Sequence, residues 1–266
     1  RQSGLTHEYF SAVLDSFKVE AEKRGYDITF INHNISGRSM TYLEHCHYRS
    51  VDGVVIACVN FYDPQVVELV NSDVPVVTID HVFNNRMAVL SDNVAGLKAL
   101  VKQAWACGHR RIAFIHGEKT SVTENRIAGF YQACEELGLE IPEEYVRDGV
   151  YHDVERCAEE TRALLALPQR PTCIIFPDDF SALGGYNALA EAGLSIPDDI
   201  SVMGYDGIYL SRVVNPSLVT YQQNTAALGQ TAADKLIELI EHPRVTLPEQ
   251  LRVSGRLLSG RSVRSL

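Results

Sequence analysis

Short apolar runs alternate along this chain with longer segments in which apolar residues recur every three or four positions. The clearest example lies between residues 171 and 207, where two apolar runs, 172–176 and 200–205, flank a segment of helical spacing that ends before Gly193. Short β-branched runs are typical of buried parallel strands, and the spacing between them predicts a helix. The pattern therefore predicts a strand, a helix and a second strand in this stretch.

The same alternation covers most of the chain. Further strands are predicted at 26–31, 54–59, 74–79, 111–115, 146–150 and 215–221 and near Leu251 and Leu257, and further helices at 7–24, 39–48, 63–70, 93–106, 123–137, 154–165 and 226–240. Residues 81–92 are expected to be a polar connection. Four helices end at a glycine shortly before a strand or the turn leading to one, which is typical of a βα repeat; these glycines are Gly25, Gly108, Gly138 and Gly193.

This order of elements predicts an α/β protein with parallel sheets. About ten alternating elements exceed what one open sheet of this type usually contains, so we expect two lobes with a cleft between them. The first predicted element is a helix, whereas a doubly wound sheet normally begins with a strand. We therefore expect that a strand precedes this helix and is missing from the sequence.

Polar residues stand where the predicted strands end. They are Asn60, Asp80, His116, Asp178 and Asp206, and ligands of open parallel sheets bind beyond the carboxyl ends of the strands. Asp178 and the adjacent Asp179 should point apart, so we interpret Asp179 as a helix N-cap bonded to the amide of Ala182 or a neighbour and Asp178 as a ligand contact. Asp80 and Asp206 could either bind a ligand or stabilise a turn.

Arg126 is an unusual residue for its predicted position. Ser121 and Glu124 have the spacing of a capping box, which places Arg126 in the first turns of a helix, where the helix dipole disfavours a cation. Its neighbours on the helix include no acid that could pair with it. We expect either a distant carboxylate or a bound ligand to hold its guanidinium group.

Composition narrows the class of protein. The chain has 266 residues, of which 45% are hydrophobic and 22% charged, and it lacks an apolar run of membrane-spanning length. A net charge of −10 argues against a broad phosphate-binding face. A locally basic C-terminal stretch could contact nucleic acid or simply be a solvated strand and tail. Six cysteines without a CxxC motif favour a reducing, cytoplasmic compartment.

Motifs for catalysis, cofactors and metals are weak or absent in the sequence. Residues 117–121 lack the glycine spacing of a phosphate-binding loop, and Gly184 and Gly185 lie within a predicted helix rather than in a dinucleotide-binding turn. His45 and His47 are too close on a helix to share a metal. No nucleophile elbow is present. We therefore predict no enzyme activity, no cofactor and no metal.

Several long motifs, taken in order, resemble the effector-binding core of LacI/GalR-type transcriptional regulators. They are GHRRIAFI at 108–115, NRIAGFYQACEELGL at 125–139, the stretch 170–207, and NPSLVTYQQNTAALGQTAADKLIELI at 215–240. The resemblance implies two doubly wound parallel-sheet sub-domains of type I periplasmic-binding-protein type, joined by three crossovers near Gly117, Asn224 and Val245. The implied sub-domains are 1–117 with 226–245, and 118–225 with 246–266.

The resemblance also implies a site for a small effector. Its predicted contacts, with Asn60 added as a polar strand end, are Phe10, Asn60, Asp80, Arg126, Tyr151, Asp178 and Asp206. The two aromatic rings would stack on a ligand ring, and the charged groups would bond hydroxyls. Gly207 stands where the family commonly has a second acid. Asp178 stands where the family often has Asn, and this extra acid favours a hydroxyl-rich or cationic ligand over an anionic one.

The function implied is that of a ligand sensor. Closure of the lobes on a sugar-like effector would shift the population of a homodimer and act on operator DNA through an N-terminal helix-turn-helix head that this sequence lacks. The alternative is a periplasmic sugar-binding protein of a transporter. The unpatterned cysteines and the GHRRIAF motif argue against that alternative.

Overall fold

The computed structural model describes residues 7–35 and 37–266. The helices are α1 (Glu8–Lys23), α2 (Tyr42–Arg49), α3 (Pro64–Asn71), α4 (Asn93–Ala106), α5 (Ser121–Glu136), α6 (Val154–Leu165), α7 (Ala182–Glu191), α8 (Leu210–Val213) and α9 (Thr225–Glu241). The strands are β1 (Asn34–Ile35), β2 (Arg38–Ser39), β3 (Val54–Ile56), β4 (Val76–Ile79), β5 (Met87–Ser91), β6 (Ile112–His116), β7 (Val146–Asp148), β8 (Cys173–Ile175), β9 (Ser201–Asp206), β10 (Val219–Gln222), β11 (Gln250–Val253) and β12 (Arg256–Leu258). Within the described ranges, no helix is long and apolar enough to span a bilayer.

The chain divides into two compact units. The first unit comprises Arg1–Ser91 and Asn224–Val253, and the second comprises Asp92–Gln223 and Ser254–Leu266. The chain therefore passes between the units three times. The first passage differs from the predicted one near Gly117 because β6 pairs with β7 and β8, so that α4 and β6 belong to the second unit. The last passage follows Val253 rather than Val245, because β11 pairs with β5 of the first unit.

The sheet of the first unit has the order β11-β5-β4-β3, and all its pairs are parallel. Alternate residues of its strands face opposite sides, as a pleated strand requires. Val77 and Val89 pack with residues of α1 and α9, whereas Val76 and Ile56 pack with residues of α2 and α3. Helices therefore cover this sheet on both faces, which explains why its strands are continuous apolar runs.

A close crossing joins α1 and α9 within the first unit. A Cβ atom added at Gly229 would lie 2.4 Å from the carbonyl oxygen of Val13, which is too close for any other residue. Glycine at this position therefore lets the two helix backbones touch.

The sheet of the second unit has the order β12-β10-β9-β8-β6-β7, with β12 antiparallel and the other pairs parallel. Ile112 and Phe114 pack in a core with residues of α4 and α5, and Ala113 and Ile115 pack in a second core with residues of α6 and α7. The strands of this unit are thus buried on two faces, in agreement with the doubly wound parallel sheet that the apolar runs predict.

Three predicted segments differ from the structure. Residues 26–31 form no strand, and 87–91, predicted to lie within a polar connection, form the fully buried strand β5 between β4 and β11. The predicted strand at 215–221 is replaced by the shorter β10, and residues 214–218 connect it to α8. Each of these segments is short, so whether it forms a strand depends on whether a neighbouring strand lies beside it to pair with.

Candidate functional site

Arg126 lies on α5 in the second unit and its side chain is 4% exposed. The helix begins one residue earlier than the capping box predicts. Thr120 is the N-cap, and its hydroxyl accepts the amide of Thr123. The predicted Ser121 and Glu124 pair therefore does not cap the helix, because Ser121 is already its first residue. Arg126 nevertheless lies in the second turn, where the helix dipole offers a cation no support.

Tertiary contacts hold the Arg126 guanidinium group. Its Nε donates to Asn93 Oδ1 at 2.8 Å and its Nη1 donates to the carbonyl oxygen of Pro177 at 2.7 Å. The ring of Tyr205 lies beneath it, with Cζ 3.6 Å from the ring centroid. A buried guanidinium group is stable only when its donors and its charge are compensated in this way. The distant carboxylate expected from the sequence is Asp206, whose Oδ1 lies 3.9 Å from Nη2.

Asp206 is the last residue of β9 and is 9% exposed. Its φ of 101° turns the chain sharply at the strand end. Gln223 Nε2 donates to its Oδ1 at 2.6 Å. Burial raises the pKa of Asp206 to about 6, and the nearby Arg126 opposes that rise.

Gln223 completes this part of the site. Its side chain is 5% exposed, and among the described residues its Oε1 has no hydrogen-bond partner. A buried amide oxygen without a donor is costly. The sequence reasoning missed Gln223, which stands two residues beyond the end predicted for the strand at 215–221.

Asp178, and not Asp179, bonds a backbone amide at the start of the following helix. Asp178 supports the start of the following helix, since its Oδ1 accepts the amide of Ser181 at 2.7 Å, and its Oδ2 accepts the amide of His152 at 3.0 Å. Asp179 instead accepts the amide of Ile208 at 2.9 Å and the hydroxyl of Thr220. The prediction that Asp179 is the N-cap is therefore wrong, because burial between β9 and β10 draws it away from its own helix.

Burial has an electrostatic consequence for Asp179. Desolvation raises its pKa well above the usual value, and the charge of Asp206 adds to the effect. The strand ends of the second unit thus bring together three buried carboxyl groups, of Asp178, Asp179 and Asp206, with the single guanidinium group of Arg126.

Tyr151 lies on the loop after β7 and belongs to the same group of residues. Its hydroxyl is 2.8 Å from the hydroxyl of Thr123, and its ring centroid is 5.5 Å from Arg126 Cζ. A Cβ atom at Gly117 would lie 2.1 Å from this ring. Gly117 therefore provides the space in which the aromatic ring sits, and burial raises the pKa of Tyr151.

In the first unit, Asp80 follows β4 with a φ of 61°. Its Oδ2 accepts the hydroxyl of Tyr9 at 2.6 Å, and its Oδ1 accepts the amide of Ser91 at 2.7 Å. The side chain is partly exposed. Tyr9 was missed by the sequence reasoning, although it is adjacent on α1 to the predicted Phe10.

In the first unit, the structure gives less support to Phe10 and Asn60 as effector contacts. Phe10 is half-buried and lines an apolar cavity with other residues of α1. Asn60 is exposed, and its Oδ1 accepts the amide of Tyr62 at 3.1 Å. That contact is a local turn of the kind Asn commonly forms without a ligand.

An aromatic group that sequence reasoning missed lies after β3 and β4. The rings of Phe61 and His81 stack with centroids 4.3 Å apart, and Phe83 packs edge-on to His81 at 4.7 Å. Burial lowers the pKa of His81, which favours its neutral form. Three aromatic rings therefore pack together, two of them within three residues of Asp80 in the sequence.

The side chains at the strand ends of the second unit offer hydrogen-bond acceptors, a held guanidinium group and an aromatic ring. Such a set can orient a polar ring by bonding its hydroxyl groups and covering its faces. Within the described part of the chain, no three potential metal ligands cluster.

The chain is similar in sequence to known proteins. A model described as a periplasmic binding protein-like domain matches residues 101–263. The HTH-type transcriptional repressor PurR of Haemophilus influenzae is 31% identical over 265 residues, covering 97% of this chain and 78% of that protein. The repressor of the same name from Escherichia coli O139:H28 is 28% identical, covering 96% and 76%.

Solved structures show the same fold. A LacI transcriptional regulator from a Rhodococcus species has a TM-score of 0.86 at 24% identity, covering 98% of this chain and 96% of that one. A LacI family transcriptional regulator from Enterococcus faecium, with bound ribose, has a TM-score of 0.84 at 26% identity, covering 99% and 97%.

The two parallel-sheet units and the domain match define a protein of the type I periplasmic-binding-protein-like class. Within that class, the chain belongs to the LacI family of transcriptional regulators, and it forms their effector-binding domain. The predicted fold class and family are confirmed. The prediction that the chain is not an enzyme is confirmed by membership in a non-enzymatic family, and the relatives are repressors rather than transporter components.

Proposed function

We propose that this domain binds a small, neutral, hydroxyl-rich effector through the polar strand ends of both units. Arg126, Tyr151, Asp178 and Asp206 would bind from the second unit, and Asp80 with Phe10 and Asn60 from the first. The ribose bound to the Enterococcus faecium regulator supports a sugar as the first ligand class to test.

The observation that carries this proposal is the grouping of Arg126, Asp206 and Gln223. Asp206 is buried with a raised pKa, and beside it the Gln223 Oε1 has no partner among the described residues. Both acceptors are shielded from solvent, and the bond from Gln223 Nε2 to Asp206 Oδ1 leaves Gln223 Oε1 without a donor. A ligand hydroxyl is a donor of the required kind and would compensate both costs.

Charge supports a neutral ligand over an anionic one. At these strand ends, Arg126 is the guanidinium group near three buried carboxyl groups, and its Nε and Nη1 are already bonded within the protein. A phosphate placed here would meet three buried carboxyl groups, with the Arg126 guanidinium group and the His152 imidazole, whose Nδ1 is 3.5 Å from Asp178 Oδ1, as the basic groups beside them. Sugar phosphates are therefore expected to bind more weakly than the corresponding free sugars.

The intact regulator is expected to bind further partners besides the effector. We expect it to act in the cytoplasm as a homodimer, and to contact operator DNA through a helix-turn-helix head outside these residues, as the names of its relatives suggest. The effector would act by preferring one arrangement of the two units, since a ligand shifts an equilibrium only by its differential affinity.

Isothermal titration calorimetry after a thermal-shift screen tests the ligand class. The panel contains ribose, other neutral pentoses and hexoses, ribose 5-phosphate and free purine bases. A neutral sugar is expected to give the largest stabilisation. A phosphate ester or a purine base that binds more tightly than every neutral sugar would refute the proposed class.

Two variants test the site with the best ligand of that screen. Asp206→Asn is expected to weaken binding roughly tenfold or more, because a hydroxyl bonds a carboxylate more strongly than an amide. Asp148→Asn, at a carboxylate whose side chain is 89% exposed in the same unit, is the matched control. Arg126→Lys is compared with Arg162→Lys, whose side chain is 46% exposed. Unchanged affinity in Asp206→Asn would remove this residue from the site.

The pH profile gives a second readout. Binding through ionised Asp206 should weaken as pH falls through about 6, because the protonated carboxyl loses part of its acceptor capacity. The affinity of Asp206→Asn should not fall in this pH range. The affinity of the Asp148→Asn control should fall as it does in the unchanged protein.

A further inference from the structure

The loop between β7 and α6 carries Tyr151, and two consecutive backbone amides of this loop are bonded to carboxylates of other segments. The amide of Tyr151 donates to Glu118 Oε2 at 2.9 Å, and the amide of His152 donates to Asp178 Oδ2 at 3.0 Å. Glu118 belongs to the connection from β6 to α5, and Asp178 to the connection from β8 to α7. The backbone of Tyr151 is therefore fixed from two sides, although it lies in a loop.

The connection from β6 to α5 also fixes the place of the Tyr151 ring. The amide of Gly149 donates to the carbonyl oxygen of His116 at 2.8 Å, which holds the two segments side by side where they leave the sheet. A Cβ atom at Gly117 would lie 2.1–2.4 Å from three atoms of the ring, Cε2, Cδ2 and Cζ. One side of the ring thus lies directly against the Gly117 backbone.

The direction of the hydrogen bond at the Tyr151 hydroxyl follows from its partner. Thr123 Oγ1 donates its proton to the carbonyl oxygen of Glu118 at 2.6 Å. A threonine hydroxyl has one proton, so the 2.8 Å contact between the two hydroxyls must use the proton of Tyr151. Burial raises the pKa of Tyr151, and the hydroxyl therefore keeps this proton at neutral pH. The hydroxyl proton is directed at the protein, which leaves the ring to face a ligand.

We propose that Glu118 and Thr123 are positioning residues of the effector site, which hold Tyr151 in one orientation as an apolar surface for the effector. The inference rests on the proposed function, because it requires the Tyr151 ring to contact the ligand. Glu118 fixes the backbone and Thr123 fixes the hydroxyl end of the side chain. A ring that is fixed before binding loses little freedom when the ligand arrives, so this arrangement favours affinity.

The same arrangement has a consequence for the ligand. Because the Tyr151 proton is bonded to Thr123, the tyrosine offers a ligand its ring and an acceptor oxygen, but no donor. A sugar face that carries C–H bonds suits such a surface. A ligand group that needs a proton from Tyr151 would first have to break the bond to Thr123.

Hydrogen exchange measured by NMR tests the part of Glu118 without any ligand. Glu118→Ala is expected to speed exchange of the Tyr151 amide by roughly tenfold, because the amide loses its acceptor. Glu118→Gln keeps an acceptor oxygen and is expected to keep slow exchange. Glu140→Ala, at another exposed carboxylate of the second unit, is the matched control. Equal exchange rates in Glu118→Ala and the unchanged protein would overturn the inference.

Calorimetric titration with ribose, xylose, glucose and galactose tests the effect on binding. Glu118→Ala is expected to weaken binding of the best of these sugars by roughly three- to tenfold, and Glu118→Gln should restore it. Once Tyr151→Ala has removed the ring, Glu118→Ala should cause no further loss. An equal loss in Glu118→Ala and Glu118→Gln, or the same loss without the ring, would show that the charge of Glu118 acts on the sugar directly and would overturn the positioning role.

Variants of Thr123 test the other end of the side chain. Thr123→Val removes the hydroxyl and Thr123→Ser keeps it, while circular dichroism verifies the fold of both. Thr123→Val should weaken sugar binding as much as Tyr151→Phe, and the two losses should not add, because both changes break the same bond. Thr123→Ser should bind like the unchanged protein. A loss in Tyr151→Phe without a loss in Thr123→Val would show that the tyrosine hydroxyl bonds the sugar, which contradicts the inference.

Tyr151→Ala separates this inference from the proposed function. Weaker binding in Tyr151→Ala with unchanged binding in Glu118→Ala and Thr123→Val would refute the positioning role and leave the effector site as proposed. Unchanged binding in Tyr151→Ala would remove Tyr151 from the site and would refute the inference as well. Failure of all these sugars to bind would count against the proposed ligand class, and the hydrogen-exchange comparison would still decide whether Glu118 holds Tyr151.

Discussion

Asp80 in the first unit and Asp206 in the second occupy equivalent places in their sheets. Each carboxylate stands at the end of a buried parallel strand, and each residue has a positive φ, 61° and 101°. Their surroundings differ. Asp80 is partly exposed and bonded by the Tyr9 hydroxyl and the Ser91 amide, whereas Asp206 is buried beside Arg126 and the Gln223 side chain.

This difference shows how burial changes the same residue type. Asp80 has two close donors and contact with solvent, which support its charge. Asp206 loses more through desolvation than Arg126 at 3.9 Å returns, so its pKa rises to about 6. Asp80 therefore stabilises the free domain. The buried charge of Asp206 destabilises it, and a hydrogen bond from a ligand hydroxyl would offset that cost.

The largest expected effect in this comparison is that of Arg126→Ala. It removes the hydrogen bonds that Asn93 Oδ1 and the Pro177 carbonyl oxygen accept from the guanidinium group, and it removes the cation next to Asp206. Breaking such a buried arrangement should lower the free energy of unfolding by about 3–5 kcal/mol. Urea denaturation measures the change. Arg162→Ala, at an exposed ion pair, should cost no more than about 1 kcal/mol, and equal losses in both variants would contradict the role of burial.

Asp206→Asn should stabilise the free domain at neutral pH. The folded-state pKa of about 6 lies above the unfolded value, so the contribution of Asp206 is fully present below about pH 4 and is lost as pH rises through 6. Asn removes a penalty on the order of 3 kcal/mol and keeps the oxygen that accepts from Gln223. Urea denaturation from pH 4 to 8 should show a gain that grows with pH. A loss at pH 8 would contradict this electrostatic account.

Asp80→Asn should have the opposite sign. An amide has one acceptor oxygen, whereas the two carboxylate oxygens of Asp80 accept from Tyr9 and Ser91 separately. We expect a loss of about 1–2 kcal/mol in the free energy of unfolding. Tyr9→Phe, which removes the hydroxyl alone, serves as the partial control. If Asp80→Asn instead raised the free energy of unfolding, as is expected for Asp206→Asn, the proposed difference between the two carboxylates would be wrong.

The smallest expected effect is that of Asn60→Ala. Its side chain is exposed and makes a local contact with the amide of Tyr62. The free energy of unfolding should change by about 0.5 kcal/mol or less, as is usual for surface positions. Titration of the same variant with the best sugar tests whether Asn60 also contacts the effector. Unchanged affinity would remove it from the proposed site.

The sequence by itself determined the alternation of helices and strands and the polar residues that end the strands. Apolar spacing is a local property, so the pattern identified α5, α7, β8 and β9 and placed Asp178 and Asp206 at strand ends. It also showed that Arg126 needs a partner outside its own helix. The family followed from long motifs that are preserved in order.

Only the tertiary structure decided which groups meet. The partners of Arg126 lie 33 and 51 residues away in the chain, and the contacts that Asp179 makes instead of capping its helix are with Ile208 and Thr220. Strand formation at 87–91 and its failure at 26–31 depend on neighbouring strands in the same way. Local spacing specifies an element, but pairing, burial and pKa arise from contacts between segments that are distant in sequence, and these exist only in the folded chain.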